Sequence, residues 1–424
     1  MIWAAGTLAT FAVGVVLARF LGPAGYGIYG SAIAIVAMLA VPAQMGLPLL
    51  ATREVSSLRS HGSPANVSAL GWCFAAIVMT ASLILASALW LLKDMLPFDA
   101  TVRSAIPTAA GLLPALALSG LAAGLLRGQE RVATSQLIDV LLRPFVFLTA
   151  LLAWSQPFGA KQALGAQVVA TTSIALIGLA LFFRGLPFTM AGAAHRLRGW
   201  TAAALPMTLL EAMRALEGAY PVLIAGYAAS IVDAGLLRVA IASSVLVSLP
   251  ISLQSIVTGP FLARAHADGT PERLAKIVAA SALFMSVATA AALLVLAVIG
   301  RWAIPFAFGA KFSAAYVPLM VLGLNQLLAA LAGPGVMLLS MAGHERTVAR
   351  SYIASVLVAI AAALSLTPLF GVVGTAASMI VATAIKAYLL NRHAKHALGI
   401  DPSLLGAIKV FGGLRRPLGT EMKL

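Results

Sequence analysis

Apolar segments of about twenty residues, separated by short polar breaks, follow one another along the whole chain. A helix of about twenty apolar residues is long enough to cross the hydrocarbon core of a bilayer, so each segment predicts one membrane span. The breaks define about twelve such spans, and the connections are too short to hold a soluble domain. The predicted spans cover residues 2–18, 28–50, 68–92, 104–126, 137–156, 162–183, 203–228, 234–259, 275–299, 314–340, 350–367 and 374–391.

The second half of the chain repeats parts of the first half about 212 residues later. Gly128 to Arg131 returns as Gly343 to Arg346, and Phe158-Gly159 returns as Phe370-Gly371. A chain rich in Ala, Leu and Val matches itself easily, but the Gly-x-Glu-Arg match includes charged residues, which are scarce here. We therefore predict an all-α membrane protein with about 12 transmembrane helices in two six-helix lobes related by a pseudo-twofold axis. The predicted boundaries are 1–195 for the N-terminal lobe, 196–392 for the C-terminal lobe and 393–424 for a basic cytoplasmic tail.

Composition excludes several other classes of protein. Hydrophobic residues make up 61% of the chain and the mean hydropathy is +1.00, which is more apolar surface than a soluble protein of this length can bury. The net charge of +15 is spread over the connections rather than concentrated in a run, so no nucleic-acid partner is predicted. Cys73 is the only cysteine, which excludes disulfides and cysteine-based metal sites. No cofactor or metal is predicted.

The distribution of basic residues predicts the orientation in the membrane. One set of connections, together with the C-terminal tail, holds about three times as many Lys and Arg residues as the other set. This excess predicts that both termini are cytoplasmic. All the histidines fall on that same side, so a histidine relay or metal centre inside the membrane is not expected. They are His61, His195, His266, His344, His393 and His396.

The segment from Ala18 to Gly27 resembles the turn between the first two helices of the polysaccharide flippases, which belong to a larger group with multidrug and oligosaccharidyl-lipid exporters. Further resemblances follow in order along the chain. The resemblance implies two six-helix lobes around a hydrophilic cleft and translocation of a lipid-linked oligosaccharide across the bacterial inner membrane. The other matching segments are Gly46-Leu47 with Arg53-Glu54, Gly128 to Arg131, Val232 to Gly235, Phe308 to Phe312 and Phe370 to Ala377.

The same first turn carries the residues expected to shape a tight helix hairpin. Gly22, Gly25 and Gly27 would let the backbone reverse at positive φ, and Pro23 would fix a bend. Arg19 precedes them at the mouth opposite the cytoplasm, where positive charge is uncommon. We expect these residues to form a turn that takes part in gating, with no direct ligand role for the glycines.

The seventh span carries the densest set of charges inside the predicted membrane region. Glu211, Arg214 and Glu217 are three residues apart, which places neighbours on one side of a helix and within reach of each other. Charges at such depth cost energy unless they face a cavity or a partner. Two interpretations stay open: the residues line a polar cavity, or they form a self-neutralising salt bridge that holds the span against its neighbours.

Three further cations are candidate contacts for an anionic substrate, since a guanidinium matches the oxygens of a pyrophosphate. Arg143 follows Asp139 by four residues and either contacts substrate or extends its side chain to the cytoplasmic interface. Arg53, beside Glu54, either lines the cytoplasmic mouth or is an ordinary positive-inside anchor. Arg238 lies toward the opposite mouth.

These features favour a flippase that works by alternating access in lipopolysaccharide or exopolysaccharide biosynthesis, with an undecaprenyl-pyrophosphate-linked oligosaccharide as substrate. A polymerase and glycosyltransferases of the same pathway would be partners, and Glu211 and Glu217 would be candidate coupling groups. The alternative is a cation-coupled multidrug exporter of the same fold, although cationic drugs favour acidic or aromatic cavities. An enzyme is disfavoured because the chain has no large extracytoplasmic loop and no Gly-x-x-x-x-Gly-Lys motif.

Overall fold

The computed structural model describes residues 2–60, 64–153, 159–189, 197–268 and 270–412, which consist of helices and their connections. One turn, Leu137–Leu142, has π-helical geometry. The helices are α1 (Ile2–Gln44), α2 (Leu47–Ser60), α3 (Pro64–Leu91), α4 (Ala100–Ala110), α5 (Leu112–Gly128), α6 (Val132–Gln136), α7 (Arg143–Leu152), α8 (Ala160–Phe183), α9 (Leu197–Ala228), α10 (Ile231–Ala267), α11 (Pro271–Phe308), α12 (Tyr316–Ala332), α13 (Gly335–Met341), α14 (Glu345–Leu398) and α15 (Leu404–Phe411).

The described helices include candidates for the predicted membrane spans. Eight of the described helical stretches are long and apolar enough to cross a membrane, or nine if α4 and α5, bent by 47°, form one span. At 43 and 54 residues, α1 and α14 are each about twice as long as one crossing requires, and each is broken at a non-helical glycine. The count of twelve spans and their division into two six-helix lobes stay predictions. The all-α membrane fold is confirmed, whereas the pseudo-twofold relation stays a prediction.

The break in α1 lies at Gly22, which has φ 63° and ψ 177°. Pro23 follows as the first residue of the second helical segment, where its missing N–H costs no hydrogen bond. The prediction of positive φ is confirmed for Gly22 but is wrong for Gly25 and Gly27, which are helical. A Cβ on Gly27 would overlap the carbonyl oxygen of Ile231 in α10, so this glycine permits close helix contact rather than a turn.

Replacing Gly22 by alanine is expected to lower the free energy of unfolding by about 1–2 kcal/mol, because an L side chain is strained at this φ. Nothing lies within 4 Å of a Cβ built on Gly22, so the loss isolates backbone strain from steric overlap. The matched control is Gly218→Ala in α9, where the site is equally open and the backbone is helical. Thermal unfolding in detergent should separate the two variants, and equal stabilities would contradict the assignment.

The chain divides into two compact units, residues 1–238 and 239–424. The first contains α9, which packs against α1. Because packing does not test a boundary drawn from a sequence repeat, the predicted lobes 1–195 and 196–392 stay a prediction. In the predicted tail, α14 continues to Leu398 and α15 follows, while residues 413–424 lie outside the described part of the chain.

In the first unit, α5 is the central helix, and its glycines decide how closely its neighbours approach. Gly120, Gly124 and Gly128 are spaced by four residues and so lie on one face. A Cβ on Gly124 would overlap the backbone of Pro48 in α2, and Thr52 Oγ1 donates a hydrogen bond of 3.0 Å to the Gly124 carbonyl. The sequence of α5 therefore sets a close crossing with α2.

In the second unit, the break in α14 lies at Gly371, with φ 56° and ψ −139°. The hydroxyls of Thr367 and Thr375 are hydrogen-bonded at 2.8 Å across this break, and both side chains are buried. A Cβ on Gly374 would overlap the carbonyl oxygen of Leu366. The two segments of α14 are therefore joined by buried contacts on both sides of Gly371.

Candidate functional site

All the cations proposed as substrate contacts belong to the first unit: Arg53 lies on α2, Arg143 on α7, Arg214 on α9 and Arg238 on α10. Arg19, proposed for the first turn, is exposed one helical turn before the break in α1. Three of them pair with a carboxylate close in sequence. Arg53, with 58% of its side chain exposed, directs Nε and Nη2 at one oxygen of Glu54, at 3.3 and 3.0 Å. An exposed pair of this kind contributes little to stability.

The seventh-span charges lie in α9. Arg214 Nη1 is 3.2 Å from Glu211 Oε1, and the two side chains are 49% and 42% exposed. Glu217 is half-buried one turn further along. The salt bridge considered from the sequence is thus present, and it leaves both partners accessible enough to exchange with another ligand. Whether the stripe also lines a cavity stays a prediction.

Arg143 lies deeper along its helix than its sequence context predicts. The helical stretch begins at Val132, five residues before the predicted start of the span, so Arg143 is about 16 Å along it by helical rise rather than about 9 Å. Its Nη2 contacts Asp139 and donates a hydrogen bond of 3.1 Å to Ser119 Oγ on α5. Only 24% of the side chain is exposed, which does not fit a side chain extended to the interface.

The π-helical turn positions this pair. Pro144 lacks a backbone N–H, and the helix widens into π geometry just before it. Asp139 lies inside the turn and Arg143 directly after it. Arg143 Nε is buried without a hydrogen-bond partner, so the guanidinium retains an unused donor even with Asp139 and Ser119 bound.

Arg238 has surroundings unlike those of the other cations. Its guanidinium carbon lies 5.5 Å from the ring centre of Tyr26 and 5.3 Å from that of Tyr29, both within cation–π range. The two rings are nearly parallel, at 10°, and both are buried. Arg238 is therefore fixed by aromatic contacts from α1 rather than by a carboxylate.

Four helices build this tyrosine clamp, defined here as Tyr26, Tyr29 and Arg238. Gly30 on α1 makes room, because a Cβ there would lie 2.6 Å from Arg238 Cδ and 3.5 Å from Val222 of α9. Tyr29 donates a long hydrogen bond of 3.4 Å to Gln167 on α8. The clamp therefore joins α1, α8, α9 and α10 within the first unit.

The clamp lies inside the helices rather than at their ends. Tyr29 follows Gly22 by seven residues and Arg238 follows the start of α10 at Ile231 by seven, which is about 10 Å of helix in each case. Close contact between Gly27 and the first turn of α10 aligns the two helices directly beside the clamp. The glycines of the first turn thus position Arg238 indirectly.

Arg238 also differs from Arg53, Arg143 and Arg214 in its lack of a carboxylate partner within the described part of the chain. Among the residues the structure describes, no carboxylate pairs with Arg238, and its Nε is buried without a hydrogen-bond partner. A guanidinium without a counter-ion in a partly buried site favours binding of an anion. The sequence identified Arg238 only as a cation near one mouth. The spacing of Tyr26 and Tyr29, three residues apart after the turn, was the available signal for the clamp.

Within the described part of the chain, no group of three or more His, Cys, Asp and Glu side chains could hold a metal ion. His344, directly before the first residue of α14, and His393, near its last residue, bring Nδ1 and Nε2 to 3.3 Å from each other. His61 and His195 lie outside the described residues, as does the side chain of His266.

Comparison with known proteins places this geometry in context. A family model described as "Polysaccharide biosynthesis protein" matches residues 2–266, more than half of the chain. No curated protein matches. Similar solved structures include an inward-facing multidrug resistance MATE family transporter of the MOP superfamily, at 13% identity and TM-score 0.76, covering 93% of this chain and 94% of that one.

Two other solved structures share the fold. Lipid II flippase MurJ, in an inward closed conformation, has 12% identity and a TM-score of 0.73, covering 96% of this chain and 90% of that one. A MOP superfamily transporter from Pyrococcus furiosus has 14% identity and a TM-score of 0.60, covering 97% and 94%. At these identities the likeness establishes the fold alone, and it is a fold found in membrane transporters.

Proposed function

Because the chain belongs to the polysaccharide biosynthesis protein family, we propose that it is a bacterial inner-membrane flippase for an undecaprenyl-pyrophosphate-linked oligosaccharide. The substrate would move from the cytoplasmic to the periplasmic leaflet by alternating access. Both termini would be cytoplasmic. The product would serve lipopolysaccharide or exopolysaccharide assembly, supplied by glycosyltransferases and consumed by a polymerase.

The observation that carries this proposal is the tyrosine clamp. Arg238 is held by two buried rings, lacks a carboxylate partner among the described residues and retains an unsatisfied donor. A fixed guanidinium matches a phosphate with two parallel hydrogen bonds, and its donors need no rearrangement on binding. We assign Arg238 the main contact to the pyrophosphate.

The paired cations have a different role in this proposal. Arg143 and Arg214 are each paired with a carboxylate that a phosphate could replace. The net binding free energy from each of them is therefore small. Weak contacts of this kind suit a transporter, because a substrate bound tightly in one state would be trapped there. Arg53 would guide substrate at the cytoplasmic mouth, and the lipid tail would stay in the bilayer.

Glu211 and Glu217 are the proposed coupling groups. Glu211 is the partner of Arg214, so protonation of Glu211 would free that cation for substrate. The two steps would then be linked, since proton uptake and anion binding would favour the same state. A dependence of transport rate on a proton gradient would support this role.

Reconstituted protein tests the proposed function. Full-length chain in liposomes is expected to move a fluorescent pyrophosphate-linked oligosaccharide between leaflets, measured by loss of fluorescence to a quencher added outside. The matched substrate control is the same lipid with a single, uncharged linkage in place of the pyrophosphate, which should move at the rate of empty liposomes. Equal rates for both lipids would overturn the assignment, and drug efflux without lipid movement would favour the multidrug exporter.

A further inference from the structure

The short C-terminal helix α15 has an apolar face that no described residue covers. Leu405, Ile408 and Phe411 are 68%, 53% and 56% exposed, and their spacing of three places them along one side of the helix. Gly406 and Ala407, on the opposite side, are buried. The helix therefore packs its small residues against the protein and presents its large apolar side chains on the outer surface.

This helix is firmly attached to the second unit. Ala407 packs against Ala279 and Ala282 of α11, so three small side chains allow a close approach. The Ser403 hydroxyl caps the helix by accepting from the Gly406 N–H at 3.4 Å. The outward face of α15 is consequently presented in a fixed orientation.

The connection between α14 and α15 is fixed as well. Lys395 Nζ lies 2.9 Å from Asp401 Oδ2, and Asp401 Oδ1 accepts hydrogen bonds from Ser403. Burial raises the pKa of Asp401, but these hydrogen bonds and the nearby ammonium outweigh it and hold the pKa below its ordinary value. Gly333, with φ 76°, brings its backbone so close to the Pro402 carbonyl that a Cβ would overlap it.

The contact on α11 indicates the depth of α15. Lys276 is the last charged residue of α11 before a long apolar run that ends at Arg301. Ala279 and Ala282 follow Lys276 by three and six residues, about 4.5 and 9 Å of helical rise. Amphipathic helices that lie on membranes bury their apolar face about 5–10 Å into the boundary between headgroups and acyl chains.

The surface of α11 continues from this contact as an exposed apolar face. Leu283, Phe284 and Val287 follow Ala282 directly and are all largely exposed, as expected for side chains that face lipid. The stripe on α15, formed by Leu405, Ile408 and Phe411, belongs to a helix that packs against α11 just before Leu283. Lys409 is exposed at the edge of the stripe, where its ammonium group can reach lipid headgroups.

We propose that α15 lies in the membrane–water interface, with Leu405, Ile408 and Phe411 inserted among the acyl chains of the leaflet nearest the N-terminal end of α11. Lys409 contacts the headgroups and favours anionic lipids. The partner of this surface is the bilayer itself. The interfacial helix fixes the depth of α11 and α14, and this role does not depend on which substrate the protein carries.

Spin labels on the full-length protein in liposomes that contain anionic lipid test this proposal. Single cysteines are introduced at Ile408 and Lys409 in a Cys73→Ala background, with Phe284→Cys on α11 as the lipid-facing reference. Accessibility to oxygen, which concentrates in lipid, is compared with accessibility to a water-soluble nickel chelate. The label at 408 should match the label at 284, with an oxygen-to-nickel ratio severalfold above that of the label at 409.

Three results would overturn the interfacial position. Equal ratios at 408 and 409 would place the stripe in water. Low accessibility of 408 to both reagents would show that protein covers the stripe, which a second copy of the chain or another partner would explain. Ile408→Trp, which keeps an apolar side chain, gives an independent measurement: lipids brominated on their acyl chains should quench the fluorescence that the new tryptophan adds to that of the six native ones, and an unquenched increment would contradict insertion.

Discussion

Arg238→Ala is expected to lower the rate of pyrophosphate-linked oligosaccharide transport roughly tenfold to a hundredfold at matched expression. A hydrogen bond to a charged group contributes about 1.5–3 kcal/mol, which corresponds to this range of rates if the contact is lost in the rate-limiting state. Because Arg238 has no carboxylate partner among the described residues, its removal leaves no uncompensated acid behind. The rate should therefore fall through lost substrate contact rather than through local charge imbalance.

Three variants separate this role from simple packing. Arg238→Lys keeps the charge but loses the planar fork, so an intermediate rate is expected. Tyr29→Phe keeps the ring over Arg238 and removes only the long hydrogen bond to Gln167, so a near-normal rate is expected. Arg53→Ala removes an exposed cation and should change the rate less than Arg238→Ala does. Full transport by Arg238→Ala, with normal protein levels, would refute the assigned contact.

Gly27→Val should destabilise the first unit by about 3 kcal/mol, at the upper end of the cost of overpacking. A side chain at this position overlaps the carbonyl oxygen of Ile231, and backbone cannot move aside as a flexible side chain can. The helices α1 and α10 would have to separate, which would also displace Arg238 from the two tyrosines. Both thermal stability and transport should therefore fall.

The reciprocal substitution and a neutral one provide the comparison. In Gly235→Val, the new side chain overlaps the carbonyl of Pro23 from the other side of the same helix crossing, so its effect on stability should be similar. The double variant should lose less stability than the sum of the two single losses. Gly218→Ala, at an open helical site, should be neutral or slightly stabilising. Thermal unfolding of the purified variants gives the stability of all four: Gly27→Val, Gly235→Val, the double variant and Gly218→Ala. A Gly27→Val protein as stable as Gly218→Ala would show that the helices do not cross there.

The spans and the local ion pairs could be predicted because their causes are local in sequence. Hydropathy over about twenty residues is sufficient to place a membrane helix. The pairs Asp139–Arg143 and Glu211–Arg214 follow from spacings of four and three residues on a helix. Gly22 was recognisable as a break because it precedes a proline between two apolar segments.

Features that depend on packing between distant segments could not be predicted in the same way. The predicted fifth span begins at residue 137, whereas the helical stretch begins at Val132, and Ser135 Oγ donates to the Ala123 carbonyl of α5 at 3.2 Å. Tyr26 fell in the predicted first turn and Tyr29 in the predicted second span, and neither was given a role. Their contact with Arg238 requires α10 to lie against α1, and no local pattern specifies that pairing.

The hydroxyl pair across the break in α14 has a consequence for how the second unit can rearrange. Glycine at a helix break is often the place where a helix flexes, but Thr367 and Thr375 bridge this one at 2.8 Å in a buried setting. Bending there would break this hydrogen bond between two buried hydroxyls, at a cost of about 1–3 kcal/mol. The segments before and after Gly371 should consequently move together as one rigid, bent helix. Any conformational change of the second unit should then occur at other helix connections.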